Sequence, residues 1–469
     1  MRTQRDSMGE MNLPDDALYG ASTQRAVLNF PVSGRPLPPG FLHSLGLVKW
    51  ACAGANVALG RLAPEKGRLI QEAALEIAAG RLDAHFPVDV FQTGSATSTN
   101  MNANEVIANW ASRRAGEPLG SGRPLHPLDD VNLGQSSNDV IPTTLHVSVA
   151  LALHRDLIPS LEGLEAALAA KAAAWQGIVK LGRTHLMDAT PLTLGQEFSG
   201  YAAQARKAAG RCRRAVAALA ELAVGGTAVG TGLNTPAAFG ATVARLLTER
   251  TGLPWREAEN HFEAQAARDD CVEAAGQLVA IATALAKVAH DIRWLGSGPR
   301  AALAEIRLPA VQPGSSIMPG KVNPVMAEML VQVCLYVQGL AHTIQQAGRD
   351  GHFELNATLP LQAYCFLDAI HCLANGVRLF TERCVAGLEA DPARCRELVD
   401  RSLMLVTALN PLIGYDAAAA VAQEAYVTGR TLREVVLARG LVDGAVLDRV
   451  LDPQAMTLPG ADAPGAGGG

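Results

Sequence analysis

The chain has 469 residues, more than one compact core accommodates, so two or three domains are expected. With 49% hydrophobic, 18% charged and only 4% aromatic residues, the interior must be built from Leu, Val, Ile and Ala, which favours packed helices over aromatic-rich sheets. A formal net charge of -5 without any Lys/Arg-rich run excludes nucleic acid as the main partner.

From the N-terminus, residues 1–10 are polar and lack an apolar run, so no secretory leader is expected. Up to about Asn132, short helical stretches alternate with Pro/Gly breaks at 32–40 and 116–127. Leu145, Val149, Leu153, Leu157, Leu161, Leu164 and Leu168 recur at spacings of four and three, which predicts one long helix, bent at Pro159. Leu278, Ile281, Leu285, Val288, Ile292 and Leu295 predict a second, from Ala266 to Leu295, about 45 Å long at roughly 1.5 Å per residue. A third starts near Pro324 and runs through Met329, Val333, Val337 and Leu340. Helices of this length suit a bundle, packed on neighbours from the same chain or from other copies. Further helical segments follow Pro360, two short ones flank Gly440, and the low-complexity tail 460–469 is expected to be disordered. No uncharged apolar run reaches roughly 18 residues, so no membrane span is expected. Eight scattered cysteines without a C-x-x-C pair read as reduced thiols of a cytoplasmic protein, not as a disulfide framework or an iron–sulfur site.

Five polar clusters punctuate this pattern. Residues 94–102 (GSATSTNMN) and 135–139 (QSSND) each place hydroxyls and amides ahead of a helix. Such a turn can hold a carboxylate on side-chain and backbone donors, or simply cap the helix. Residues 182–188 (GRTHLMD) carry His185 away from any apolar face, which suits proton transfer. A metal site is disfavoured there, because no second His lies at helical spacing and no Cys is near. Residues 225–232 (GGTAVGTG) lack the Lys-Ser/Thr of a phosphate loop and follow no strand-like run, so a tight turn between helices is expected. Residues 314–324 (GSSIMPGKVNP) combine mobile glycines with Ser315, Ser316, Lys321 and Asn323. That set suits an anion, and charge developing on a carboxylate.

Together and in this order, these clusters resemble the fumarase/aspartase superfamily, with 314–324 its most specific signature. The likeness to class II fumarases covers nearly the whole chain. It runs from 17–25 (ALYGASTQR) through 262–269 (FEAQAARD) and 291–294 (DIRW) to 353–356 (FELN). It implies an all-α, three-domain fold: an N-terminal mixed helical domain (1–136), a central long-helix bundle (137–360) and a C-terminal helical domain (361–469). It also implies a homotetramer whose active sites are each shared between three subunits, acting on fumarate and L-malate without a cofactor. Carried over residue by residue, the resemblance makes Ser315 the base and His185 the group that handles the departing hydroxyl, oriented by Glu328. Ser95, Thr97, Ser136, Ser137, Asn138, Thr184, Ser316, Lys321 and Asn323 become substrate contacts.

Ser137, where aspartases carry threonine, and 195–201 (GQEFSGY) favour fumarase. Aspartate ammonia-lyase is the alternative on the same scaffold, and an inactive structural homologue the alternative of another class. The intact Ser315, His185, Lys321 and Asn323 argue against the latter. Leu128 stands where fumarases carry an amide, in a secondary anion site that would use His126 and Asp129. Ala96 replaces the usual glycine beside Thr97.

Overall fold

The computed structural model describes residues 1–459; the disorder expected for 460–469 lies outside the described residues. A hairpin of β1 (Arg2–Asp6) and β2 (Gly9–Leu13) is followed by α1 (Ala21–Asn29), α2 (Pro39–Ala58), α3 (Pro64–Ala78), α4 (Thr97–Ala115), α5 (Ser137–Ala152) and α6 (Ile158–Ala174). Then come β3 (Val179–Thr184), β4 (Met187–Thr193), α7 (Leu194–Ala218), α8 (Phe239–Thr251), α9 (His261–Ala266), α10 (Asp269–Leu295), α11 (Val325–Gly348) and α12 (Leu359–Arg383). Shorter helices complete the chain, with Leu432–Ala438 and Gly444–Val450 flanking Gly440 as predicted. Strands occur among the described residues only as two-stranded pairs, so the class is all-α.

Local chemistry sets the helix ends. α2 starts at Pro39, whose missing N–H would be unpaired there anyway. The N-terminus of α1 is closed by a side chain from α4: the buried Glu105 carboxylate accepts from the N–H groups of Gly20 (2.8 Å), Ser22 (3.0 Å) and Thr23 (3.2 Å), and from the Thr23 hydroxyl (2.6 Å). A carboxylate at a helix N-terminus meets both the free donors and the positive end of the dipole. At Gly46 the α2 backbone passes so close to α3 that a Cβ would lie 2.6 Å from the Ala74 carbonyl, so a larger residue would force the helices apart.

The helix predicted through Leu145–Leu168 exists, but not as one bent rod. α5 ends at Ala152, Leu153–Leu157 widens into a π-turn, and α6 resumes at Ile158. Pro159 lacks an N–H and its ring crowds the carbonyl one turn back, and the wider turn relieves this. α10 starts at Asp269 and not Ala266, because Ala267 is extended after α9. Its 27 residues span about 40 Å. α10 and α11 are long and apolar enough to cross a bilayer by length and hydropathy; Glu273 and Lys287 interrupt the first, Gln332, Gln338 and His342 the second.

The chain packs as two compact units, and each boundary falls inside a long helix. The first comprises residues 1–160, 208–283 and 333–375. Here α2 packs on α3, α5 and α8, and α4 on α1, α3 and α5, around the buried Phe41, Leu45, Val48, Ile107, Ile141 and Leu145. The second comprises residues 161–207, 284–332 and 376–459. In it the β3–β4 hairpin packs on the helix Pro392–Arg401, and Leu181 joins Val399, Leu409, Val421, Val435 and Leu447 in one core. The divisions expected after residues 136 and 360 fall at the start of α5 and in the first turn of α12.

Candidate active site

In the first unit, three predicted side chains join in one line of hydroxyls. Ser95 Oγ lies 2.8 Å from Thr97 Oγ1, which lies 2.6 Å from Ser137 Oγ. The turn that aims them is constrained twice. Ala96 adopts φ 51°, in the left-handed region, where glycine would be least strained. Gly94 lies against the chain ahead of α12, where a Cβ would come within 1.9 Å of the Ala357 carbonyl.

Ser136 caps α5. Its Oγ accepts from the Asn138 N–H (3.2 Å), and its own N–H donates to Asp139 (2.9 Å), a capping box. The other Asp139 oxygen accepts from the N–H groups of Gly225 (3.1 Å) and Thr227 (3.0 Å), and Asn138 Nδ2 donates to the Ala228 carbonyl (2.8 Å). The glycine-rich segment is therefore not a tight turn between helices. It is an irregular loop that follows a two-residue strand, Glu221–Leu222, and its N–H groups cradle an internal carboxylate. Burial pushes Asp139 up to about 6, against the pull of those donors. Behind it, the buried Lys49 ammonium donates to Gln135 Oε1 (2.9 Å) and Asn132 Oδ1 (3.2 Å). Burial pushes Lys49 down to about 8.

In the second unit, β3 and β4 are joined by a two-residue turn of His185 and Leu186, between the paired Thr184 and Met187. Both turn residues have positive φ, 55° and 62°, the type I′ geometry that matches hairpin twist but disfavours side chains other than Gly, Asn or Asp. His185 is thus held at an exposed tip, beside Leu186 (67% exposed) and Met187 (70% exposed). Along the hairpin, from Lys180 to Leu186, lies a cavity of about 540 Å³, bordered also by Arg183, Thr184, Glu197 and Trp294 among others.

Ser315 lies in a folded loop. Gly314 N–H donates to the Lys321 carbonyl (2.8 Å) and Asn323 Nδ2 to the Gly314 carbonyl (2.7 Å). Ser315 Oγ accepts two backbone N–H groups, from Ile317 (3.2 Å) and Met318 (3.0 Å). Ser316 and Lys321 are exposed. Glu328, in the first turn of α11, lies 3.8 Å from Arg293 and pairs with it, not with His185, within one chain. At the secondary site, His126 Nδ1 accepts from the Asp129 N–H (3.1 Å), while Asp130, not Asp129, binds Lys66 (2.7 Å); Leu128 is exposed.

Sequence reasoning named neither Lys49 nor Glu305. Glu305 is fully buried and accepts a two-pronged bond from Arg183. Lys49 and Glu305 each lie in a mostly apolar stretch, 46–53 (GLVKWACA) and 301–310 (AALAEIRLPA), and neither finds its partner within that stretch.

The chain matches the family described as Lyase over residues 9–339, and Fumarase C C-terminus over 405–458. It is 53% identical to a fumarate hydratase class II from Mycobacterium tuberculosis over 97% of this chain and 96% of that protein. It is 48% identical to one from Xylella fastidiosa over 100% and 98%. Among solved structures, a class II fumarase from Schistosoma mansoni superimposes with a TM-score of 0.95 at 39% identity, covering 98% of this chain and 99% of that one. A fumarate lyase:delta crystallin from Brucella melitensis superimposes with a TM-score of 0.89 at 42% identity, covering 97% and 100%.

Proposed function

The chain belongs to the fumarase/aspartase superfamily of lyases, in its class II fumarate hydratase branch, and on that premise we propose how its residues carry the reversible anti addition of water to fumarate giving L-malate. It is a hydro-lyase.

Ser315 is the base. A free hydroxyl is a poor one, because its alkoxide is costly. The two N–H groups aimed at Ser315 Oγ are the arrangement that lowers the cost of an oxyanion, and this observation carries the assignment. Ser315 takes a proton from C3 of L-malate. The electron pair passes into the adjacent carboxylate as an aci form, and Lys321 and Asn323 oppose the growing charge. His185 gives a proton to the departing hydroxyl, directly or through a water, so that water leaves. Hydration runs the same transfers backwards. Ser95, Thr97, Ser136, Ser137, Asn138, Thr184 and Ser316 hold the substrate's carboxylates and hydroxyl. Because Glu328 meets Arg293 within one chain, its role in orienting His185 belongs to a contact with another copy.

The assembly is a homotetramer with sites shared between three subunits. Supporting this, the most apolar stretch of α11 is only 28% buried within one chain, with Leu335 63% and Tyr336 46% exposed; a face of that kind needs a partner helix. A cytoplasmic location is supported by the eight cysteines, all free thiols.

The test pairs two substrates. Fumarate absorbance is expected to rise with L-malate and not with L-aspartate, without added nucleotide or metal. Fumarate released from L-aspartate alone would reassign the chain to the aspartases.

A further inference from the structure

We infer that Glu305 is a positioning residue for His185, acting through a two-pronged clamp on Arg183 just below the tip of the β3–β4 hairpin. The inference rests on the role of His185 proposed above.

The starting point is a conformation in need of support. His185 and Leu186 sit consecutively at positive φ, and each such side chain costs about 1–2 kcal/mol. A turn of that kind persists only where its surroundings over-determine it. The tip itself offers little, since residues 184–188 are exposed. The hairpin's regular pairing is also broken between Leu181 and Arg183 by a bulge at Gly182, where the chain would otherwise splay.

Glu305 supplies the support from below. Its carboxylate is fully buried and accepts Arg183 Nη1 at 2.9 Å and Nη2 at 3.1 Å, one oxygen to each nitrogen. This parallel pairing fixes the plane of the guanidinium as well as its distance. Lys180, also buried, lies 3.5 Å from Glu305 and 2.9 Å from Glu197, and Glu197 accepts from the Tyr201 hydroxyl at 3.1 Å. The Tyr201 hydroxyl also lies 2.9 Å from Asp291, which pairs with Lys287, so three cations and three anions make a neutral network, which avoids an uncompensated buried charge. The backbone of Glu305 is itself held on both sides. Its N–H donates to the Leu295 carbonyl at the end of α10, and its carbonyl accepts from the Asp391 N–H (both 2.9 Å). The residue it grips is two positions from His185, so the frame around α10 is transmitted to the imidazole through one side chain. In sequence Glu305 also lies ten residues before Ser315, immediately ahead of a strand (Ile306–Arg307) paired with Glu389–Ala390.

Two substitutions test this. Arg183→Lys keeps the network neutral and removes the fork. Glu305→Gln keeps the shape and removes the charge. Both are expected to lower kcat roughly 10- to 100-fold with KM within about twofold, as loss of orientation and not of binding predicts. Assembled mass and helical content should match the unsubstituted protein. Amide hydrogen exchange of a peptide covering 180–190 should quicken in both variants, while that of the β1–β2 hairpin stays constant. Wild-type kcat in Arg183→Lys, or unchanged exchange at 180–190, overturns the inference, as does a fall in kcat no larger than the fall in folded protein. The exchange readout does not depend on the reaction, so an unsubstituted enzyme inactive on fumarate would sink the functional reading while the clamp is still judged.

Discussion

Thr97 Oγ1 lies 2.6 Å from Ser137 Oγ although 40 residues separate them, and the bond aligns the N-termini of α4 and α5. Two helix N-termini with their hydroxyls on one side form a positive, donor-rich surface suited to a dianion. Thr97→Val keeps the branched shape and removes the hydroxyl; Ser137→Ala removes its partner. Each is expected to raise KM about tenfold with a smaller change in kcat. The double substitution should cost less than the two effects combined, because they share one hydrogen bond. Unchanged KM in both single variants would remove this pair from substrate binding.

Ser315→Ala removes the oxygen on which the Ile317 and Met318 N–H groups converge. A fall in kcat of about 10³-fold or more is expected, as for loss of a reacting group, with assembly intact because the loop packs no core. More than a tenth of normal turnover would place the base elsewhere.

His185→Asn tests the acid. Asn tolerates the left-handed backbone better than most residues, so φ 55° at this position need not change. The substitution removes proton transfer without disturbing the turn, and kcat should fall about 10²- to 10⁴-fold. A near-normal rate would move the acid to another group.

How much of this was legible in the sequence depends on the range over which each residue acts. Helix periodicity and caps are local, so the helices through Leu145, Leu278 and Met329 could be read directly, and so could the Ser136 and Ser315 turns. Two boundaries failed for local reasons of another kind. Pro159 was absorbed by a π-turn, and Ala267 broke the helix predicted from Ala266. The long-range partners could not be read. Nothing near Glu105 says that its carboxylate reaches Gly20, and nothing in 225–232 says that its N–H groups serve Asp139. Burial decides both, and burial depends on the assembled fold.

Glu105→Gln tests the most connected of these partners. The carboxylate accepts four hydrogen bonds, whereas an amide nitrogen would confront N–H donors. Losing charge-assisted bonds at a buried helix end is expected to cost about 3 kcal/mol. The readout is a lower urea midpoint with an unchanged slope. An unaltered midpoint would show that water replaces the carboxylate there.

His146 sets an acid limit on stability. It is buried, and its Nδ1 donates to the Glu221 carbonyl at 2.8 Å. Burial, reinforced by the nearby Arg268 cation, lowers it to about 3 from 6.5. A depressed pKa means that the unfolded chain binds the extra proton first. The contribution is therefore complete above pH 6.5 and is lost as pH falls towards 3, at up to about 1.4 kcal/mol per pH unit. Asp139, raised to about 6 from 3.8, runs the other way: its contribution is complete below 3.8 and is lost as pH rises through 6. Between pH 4 and 6 the two slopes oppose each other. Replacing His146 by Gln retains a donor for the Glu221 carbonyl and removes the titration. Urea midpoints for the variant should therefore fall less steeply than those of the unsubstituted protein from pH 6.5 to 4. The comparison is of slopes, so a uniform loss of stability from imperfect packing does not affect it. Parallel slopes would mean that His146 charges in place, with water or a carboxylate admitted to its side.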